Sequence, residues 1–256
     1  MTQTTSTGVP EVKSAARTME LLEHLAALVG QPVRLRDIAY ALGAPRSSTY
    51  AMLRTLVGRG WVRTDPTGTY YALGIHALLV GTSFLDADPY VRAVRPILVD
   101  LGERLDETVH LARLDGDDVV YLATQESHRY LRTVSRVGRR LPAHATGLGK
   151  AILASRPDDV PEHLTALTAH TITDRPVLLA DLESARARGY AVDDEENTLG
   201  LRCFGVALRY TIPVRDALSC SVPLGRLDGA RQSEILAAME DARRQAEAVA
   251  PRQAMF

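Results

Sequence analysis

Several features that would mark a membrane, secreted or metal-binding protein are missing from this 256-residue chain. No apolar run approaches the roughly 18 residues that a membrane-spanning helix needs. Only two cysteines occur, Cys203 and Cys220, and no Cys/His spacing is typical of a zinc site. No phosphate loop or dinucleotide fingerprint is present, so the sequence predicts neither a metal nor a cofactor. Residues 1–11 are polar and lack the apolar segment of an export signal, and we therefore expect a disordered tail, reduced thiols and a cytoplasmic protein.

Charge is unevenly divided along the chain. Residues 1–75 hold eight Lys+Arg against five Asp+Glu, whereas residues 76–256 hold 22 against 26. A basic N-terminal part followed by an acidic remainder favours contact with phosphates through residues 1–75 only. The length allows two domains, each with its own core.

Two short helices joined by a tight turn are predicted after residue 34. Apolar residues recur at helical spacing from Leu35 to Leu42, Gly43 ends this helix, and Pro45 opens the next one. The second helix has two distinct sides. Its apolar side carries Thr49, Met52, Leu53 and Leu56, and its polar side carries Arg46, Ser47, Tyr50 and Arg54. A cationic, hydroxyl-rich face at the start of a second helix is suited to reading the major groove of DNA.

The flanking segments extend this motif. Strand-like runs at 61–64 and 69–73 flank a turn at 65–68, which predicts a hairpin, or wing. A helix is expected from Ser14 through Leu28, with Ser14 as its N-cap and its buried side formed by Met19, Leu22, Leu25 and Ala26. The whole pattern indicates a winged helix-turn-helix that binds DNA. The alternative is a plain packing unit whose polar helix face is only solvated.

The rest of the chain predicts a linker helix and a second, α+β domain. Residues 75–88 form a helix that is apolar nearly all round, and we infer that it is buried in a dimer contact. Beyond this helix the spacing of apolar residues alternates between the two-residue period of strands and the 3.6-residue period of helices. This pattern favours antiparallel hairpins with helices between them. The expected helices begin at Asp88–Pro89 and span 146–154, 176–188 and a final segment capped by Asp228; the expected strands are 108–114, 119–124, 131–134, 190–192, 203–209 and 217–222. The predicted domains are therefore a tail at 1–11, a DNA-binding domain at 12–74, a linker at 75–88 and a ligand-binding domain at 89–256.

The segment from Leu141 to Lys150 is the first candidate ligand site. Gly147 and Gly149 allow backbone N–H groups at a helix start to approach a ligand closely, and a helix start favours an anion such as a carboxylate. The alternative is that the glycines only permit a tight strand-to-helix entry.

Four consecutive acids, from Asp193 to Glu196, form the second candidate. Such a run favours a solvated loop, and the alternatives are a metal site, a hydroxyl acceptor or general acid/base catalysis through Asp193 and Glu195. Cys203 with His144 is a further hypothesis, as a nucleophile and its base, although a lone cysteine is more often inert.

Four motifs in order make the chain resemble the IclR-type family of bacterial transcription regulators. They are the segments 12–17, 68–74, 141–150, and 189–203 with its four acids and its Gly-Leu-Arg-Cys end. The resemblance implies a winged helix-turn-helix, a GAF/PAS-like effector domain with a curved antiparallel sheet, and no enzymatic activity. It further implies a homodimer or dimer of dimers that binds palindromic operator DNA, as a repressor more often than an activator, and responds to a small organic acid.

Site residues follow from the resemblance position by position. The effector pocket would be formed by Leu141, Gly147, Leu148, Asp193, Cys203, Ser219 and Ser221. The groove-reading residues would be Arg46, Ser47, Ser48, Tyr50 and Arg54, with phosphate contacts from Arg17 and Arg63. The sequence departs from the family at Leu148, which is larger than in many relatives, and at 204–211, which delays Pro213–Val214 and reshapes the hairpin carrying Ser219 and Ser221. The rival hypotheses are an enzyme acting on a carboxylic acid and a DNA-binding protein without a ligand.

Overall fold

The computed structural model describes residues 11–28 and 30–251, which fall into two compact units, Met1–Phe84 and Leu85–Phe256. The tail predicted for residues 1–11 lies outside the described residues apart from Glu11, which is exposed. Each unit is an independently packed body with its own apolar core.

The first unit is a helix-turn-helix followed by a hairpin, as the sequence predicts. Its elements are α1 (Lys13–Ala27), β1 (Val33–Arg34), α2 (Leu35–Ala41), α3 (Arg46–Gly58), β2 (Val62–Thr64) and β3 (Tyr70–Leu73). The strands form a small antiparallel sheet in the order β1-β3-β2. Leu21 of α1, Ile38 of α2 and Leu53 of α3 are fully buried and meet in the core of this unit.

The first helix differs from its prediction at its start and in its buried face. It begins at Lys13, its N-cap is Val12 with no side-chain hydrogen bond, and Ser14 therefore lies inside the helix. Leu21 and Leu25 are buried, whereas Met19 is 63% exposed. Met19 precedes Leu21 by two residues, which on a helix of 3.6 residues per turn places it on nearly the opposite side.

A largely apolar helix, α4 (Ile75–Ala87), follows the hairpin. It has no buried residue, and its large apolar side chains Ile75, Leu78, Leu79, Val80 and Phe84 are all more than half exposed. The helix predicted at 75–88 is thus present, and the described residues leave its apolar surface uncovered.

The second unit is built on a six-stranded antiparallel sheet in the order β6-β5-β4-β9-β8-β7. Its elements are α5 (Pro89–Leu105), β4 (Thr108–Asp115), β5 (Asp118–Gln125), β6 (Arg140–Pro142), α6 (Gly147–Leu153), α7 (Arg175–Arg188), β7 (Ala191–Asp194), β8 (Leu201–Leu208), β9 (Asp216–Pro223) and α8 (Gly229–Val249). The predicted α+β class is confirmed. None of the helices in the described ranges combines the length and the hydropathy needed to span a bilayer.

Both faces of the central strands are covered, because helices pack on each side of the sheet. On one face, which we call the helix face, Phe204 and Cys220 pack with residues of α5 and α8. On the other, which we call the cavity face, Gly205 lies against α6. Side chains alternate along a strand, so neighbouring residues of β8 and β9 face opposite sides. Every residue of β9 is accordingly buried.

Several helix ends follow the sequence closely. The Asp88 carboxylate accepts hydrogen bonds from the N–H groups of Tyr90 and Val91, 2.9 and 3.0 Å away, and caps α5. Gly189, with φ 85°, ends α7 in the left-handed conformation that glycine adopts without strain. The Asp228 carboxylate caps α8 through the N–H of Arg231 at 2.7 Å.

The strand predicted at 131–134 is wrong. Residues 126–139 are irregular, and we call this segment the strap. Leu131 and Val134 are both 66% exposed, so the run has no buried face to pair with a sheet. The strap is instead fixed by individual hydrogen bonds: Thr108 Oγ1 donates to the carbonyl of Thr133 at 3.0 Å, and Arg226 donates to the carbonyl of Leu131 at 2.7 Å.

Candidate functional site

The polar face of α3 is open to solvent along its length. Arg46, Ser47, Tyr50 and Arg54 are all exposed, while Thr49, Leu53 and Leu56 on the other side are buried in the core. The structure therefore brings four of the predicted groove-reading residues to one free surface. Their side chains are available to base edges and phosphates.

The remaining DNA-contact candidates differ in availability. Ser48 is half-buried, and its hydroxyl donates to the carbonyl of Pro45 at 2.9 Å, so its proton is already engaged at the start of α3. Arg17 on α1 and Arg63 on β2 are exposed and remain free to meet phosphates.

The tip of the wing is organised by one carboxylate. Asp65 Oδ1 accepts from the N–H groups of Thr69 and Tyr70, at 2.8 and 2.7 Å, and Oδ2 accepts from the Thr67 hydroxyl. The Thr67 hydroxyl, followed by the N–H of Tyr70, lowers the pKa of Asp65 to about 2. The turn at 65–68 is therefore held in one shape beside Arg63.

A small cavity of about 30 Å³, open at one mouth, lies against the cavity face of the sheet in the second unit. Every effector residue predicted from the resemblance lines it: Leu141, Gly147, Leu148, Asp193, Cys203, Ser219 and Ser221. These residues come from five separate elements or turns, spread over 81 positions of sequence from 141 to 221. The fold thus brings residues that are distant in sequence together at one concave site.

One wall of the cavity is the start of α6. Thr146 caps this helix by accepting the N–H of Gly149 at 3.0 Å. The N–H groups of Gly147 and Leu148 belong to the first turn, which has no intrahelical acceptors, and they find none among the described residues. Glycine is required here because a Cβ on Gly147 would lie 3.0 Å from the carbonyl oxygen of Cys203, and one on Gly205 would lie 1.9 Å from that of Gly147. The tight strand-to-helix packing and the open N–H groups therefore coexist.

Asp193 is the buried acid of the cavity. It is 3% exposed, and its Oδ1 accepts from the N–H groups of Glu196 and Asn197 at 2.8 and 3.1 Å. Burial raises the pKa of Asp193 to about 6, and the nearby charge of Glu196 adds to this while the two N–H donors oppose it. This carboxyl is therefore mostly ionised and an acceptor at pH 7, and below about pH 6 its protonated form can donate.

The favoured interpretation of the four acids as a solvated loop is wrong for two of them. Glu196, like Asp193, is buried, and its Oε1 lies 2.6 Å from the Nζ of Lys150, which also lies 2.6 Å from Asp181. Asp194 is exposed and pairs with Arg202, while Glu195 accepts the N–H of Gly200 at 2.7 Å. A buried lysine 46 residues earlier in the sequence permits the burial.

The sheet supplies the floor of the cavity. Cys203 Sγ lies 3.2 Å from Ser221 Oγ, and His110 packs edge-on against the ring of Tyr121 with the ring centres 4.9 Å apart. Burial raises the pKa of the Cys203 thiol well above its usual value, so the sulfur stays protonated. Burial likewise lowers the pKa of His110 to about 3, which keeps the imidazole neutral. Cys203 and His110 therefore make their part of the floor polar but uncharged.

Sequence reasoning missed the part of the lining that the strap and β4–β5 contribute. His110, Tyr121, Thr133, Ser135 and Arg139 all face the cavity. The Thr133 and Ser135 hydroxyl oxygens are buried and lack hydrogen-bond partners. The period-two pattern of residues 108–112 would place His110 on the same face as Thr108, but no local signal predicts that the strap crosses that face.

The proposed nucleophile and base are not brought together. His144 is buried outside the cavity with its Nε2 3.1 Å from the carbonyl oxygen of Thr165, whereas Cys203 contacts Ser221. Within the described ranges, no three His, Cys, Asp or Glu side chains are grouped so as to hold a metal ion.

Comparison with known proteins decides the family. Residues 14–66 match the IclR helix-turn-helix domain, and residues 83–248 match the bacterial transcriptional regulator IclR C-terminal domain. The chain belongs to the IclR family of bacterial transcriptional regulators.

Individual IclR relatives are similar to this chain, in sequence or in fold, over nearly its whole length. The transcriptional repressor IclR of Escherichia coli is 35% identical over 240 residues, covering 90% of this chain and 87% of that protein. The crystal structure of the Thermotoga maritima IclR is 27% identical with a TM-score of 0.71, covering 93% and 98% of the two chains. An IclR homolog from Microbacterium hydrocarbonoxydans, complexed with 4-hydroxybenzoate, shares the fold with a TM-score of 0.77 at 22% identity, over 92% and 98% of the chains.

Membership of the IclR family settles the broad class of activity. The chain is a DNA-binding transcription regulator, because its helix-turn-helix matches that of the family and its relatives are named as regulators and repressors. It is not an enzyme, and the rival hypothesis of a carboxylic-acid enzyme is not supported.

Proposed function

We propose that this chain is a repressor whose affinity for operator DNA changes when a small organic acid binds in the cavity of its second unit. The observation that carries the proposal is the convergence of all seven candidate residues on one cavity. A relative at 35% identity is named a transcriptional repressor, which supports repression over activation.

The chemistry of the cavity supports an acid as the effector. The N–H groups of Gly147 and Leu148 have no acceptor among the described residues and would hold a carboxylate. Asp193, Ser219 and Ser221 would bond a keto or hydroxyl oxygen, and Leu141 would form the apolar wall. The homolog bound to 4-hydroxybenzoate, an aromatic acid, shares this fold.

The DNA-contact residues follow from the exposed face of α3. Arg46, Ser47 and Ser48 would lie nearest the base edges, with Tyr50 and Arg54 further along the groove. Ser48 would contribute as an acceptor, since its proton is donated to Pro45. Arg17 and Arg63 would neutralise phosphates.

A homodimer, or a dimer of dimers, would explain the apolar surface of α4. Its exposed apolar side chains lie nearly all round the helix, and such a surface is unfavourable in water unless a second copy covers it. A two-fold dimer binds two half-sites, so the operator would be palindromic. Such a regulator would act in the cytoplasm, where its DNA is.

Regulation would follow from linkage between the two units. An acid that binds one dimer arrangement better than another shifts the protein toward it, and operator DNA must then shift acid affinity by the same factor.

The test is binding of the full-length protein to its own upstream DNA, at one stated salt concentration, with and without 2-oxo, 2-hydroxy and aromatic acids. We expect specific retention that at least one acid weakens or strengthens. An unrelated DNA of equal length controls for phosphate attraction. Equal retention of both DNAs by folded protein would contradict operator recognition, and retention that no acid alters would contradict effector control.

A further inference from the structure

Among the residues that the structure describes, Arg139 is the one Lys or Arg that lines the cavity. It is half-buried, and no acidic side chain of the described residues pairs with it. Its neighbour Arg140 behaves differently: Arg140 is bound to Asp115 and Asp118 on the outside of the hairpin. Adjacent residues in extended chain face opposite sides, which explains why one arginine is neutralised and the other turns toward the cavity.

The groups that the charge of Arg139 reaches inside the cavity do not compensate it. His110 and Tyr121 both feel this charge, and both remain neutral because they are buried. Asp193, the acid of the cavity, instead has its charge interactions with Glu196 and Lys150. A half-buried guanidinium without an anion is unfavourable, and its planar fork fits a carboxylate by two parallel hydrogen bonds.

Two further donors lie on the same segment. The hydroxyl oxygens of Thr133 and Ser135 are buried and unpartnered, and both residues belong to the strap that ends at Arg139. A buried hydroxyl without a partner costs about 1–3 kcal/mol, so such groups are usually satisfied by a ligand or water. Together with Arg139 they make a second polar anchor, on a different element from the N–H groups of α6.

We propose that the effector is a dicarboxylic acid, whose second carboxylate is bound by Arg139 with the hydroxyls of Thr133 and Ser135. This inference rests on the proposed function, in which the first carboxylate meets Gly147 and Leu148. Arg139 is then the residue that selects dicarboxylates over monocarboxylates.

The experiment compares matched acids on the full-length protein. Calorimetry and thermal unfolding are measured with α,ω-dicarboxylates from oxalate to adipate, 2-oxoglutarate and terephthalate, each beside the monocarboxylate of equal chain length or ring. We expect at least one dicarboxylate to bind more tightly than its monocarboxylate partner. Arg139→Gln should lower that affinity roughly ten- to hundredfold, the usual effect of losing a charge-assisted hydrogen-bonded pair, and leave the monocarboxylate unaffected.

Arg136→Gln is the matched control, because Arg136 is exposed on the same strap and does not line the cavity. It should bind every acid as the native protein does. Arg139→Lys, which keeps the charge but loses the fork, should give an intermediate affinity. Unfolding of each variant without ligand checks that the fold is kept.

The outcomes separate the two proposals. If monocarboxylates bind as tightly as dicarboxylates, or if Arg139→Gln weakens both alike, the dicarboxylate inference is overturned while effector control stands. If no acid binds to protein that still retains its operator, effector control fails and the inference fails with it.

Discussion

The Nζ atom of Lys150 lies 2.6 Å from Oε1 of Glu196, with both side chains almost entirely buried. This pair joins α6 to the turn that follows β7. Since the N–H of Glu196 also donates to Asp193, the pair connects the two sides of the cavity.

Lys150→Met should lower the free energy of unfolding by about 3–5 kcal/mol, because it leaves the buried Glu196 without its cation, while Asp181, which is less buried, keeps Arg188 at 3.7 Å. Arg104→Met is the control: Arg104 pairs with Asp241 at the surface, where an ion pair contributes about 0–1 kcal/mol. Denaturant unfolding of both variants gives the comparison. Equal losses would mean that the buried pair adds no more than a surface one.

Asp193→Asn should raise the free energy of unfolding at neutral pH. The folded state raises the pKa of Asp193 from 3.8 to about 6, so the stability linked to its protonated form is full below about 4 and is lost as the pH rises through about 6. Asparagine keeps the oxygen that accepts from Glu196 and Asn197 and never ionises. At about pH 8 the free energy of unfolding of the variant should exceed that of the native protein by an amount on the order of 2–3 kcal/mol, and at about pH 4 the excess should vanish. Denaturant unfolding of both proteins at the two pH values measures this.

The same group should make acid binding depend on pH. An anionic effector beside Asp193 favours the protonated carboxyl, so affinity should fall up to about tenfold for each pH unit above about 6. Asp193→Asn should abolish this slope. Calorimetry at several pH values measures it, and a slope that persists in the variant would assign the proton to another group.

Gly205→Ala should displace α6 from the sheet. The new Cβ would lie 1.9 Å from the carbonyl oxygen of Gly147, a backbone atom that can move only with its helix. We expect a loss of about 1–3 kcal/mol in the free energy of unfolding and loss of acid-induced stabilisation. Gly225→Ala, at a position with open space around it, should change neither quantity. Unchanged acid binding in Gly205→Ala would show that the geometry of α6 does not govern the cavity.

Arg46→Ala should weaken binding to the operator by about 1–3 kcal/mol and leave acid binding intact, because Arg46 is exposed on α3 in the first unit. Arg63→Ala should instead weaken all DNA alike and reduce the slope of affinity against salt by about 0.9. Arg244→Ala, exposed on α8, serves as the charge-matched control. Titrations of operator and unrelated DNA over a salt series distinguish these effects, and equal loss on both DNAs for Arg46→Ala would make it a phosphate contact.

The parts of the fold governed by local chemistry were predictable from sequence. Asp88 and Asp228 cap helices as their positions suggest, Gly189 ends one, and the hairpin of β4 and β5 follows from its period of two. The parts governed by distant contacts were not. The burial of Glu196 depends on Lys150, and the approach of Arg139 to the cavity depends on how the strap crosses the sheet. Neither relationship leaves a pattern in neighbouring residues.

The alternation of β8 and β9 between the helix face and the cavity face has an evolutionary consequence. Phe204 and Cys220 serve the packing of α5 and α8, while Cys203 and Ser221, one residue away along each strand, serve the cavity. Under the proposed function, selection for folding and selection for a different effector would therefore act on interleaved but separate sets of codons. Changing every second residue of these two strands would then alter the proposed effector site while the packing of α5 and α8 against the sheet is kept.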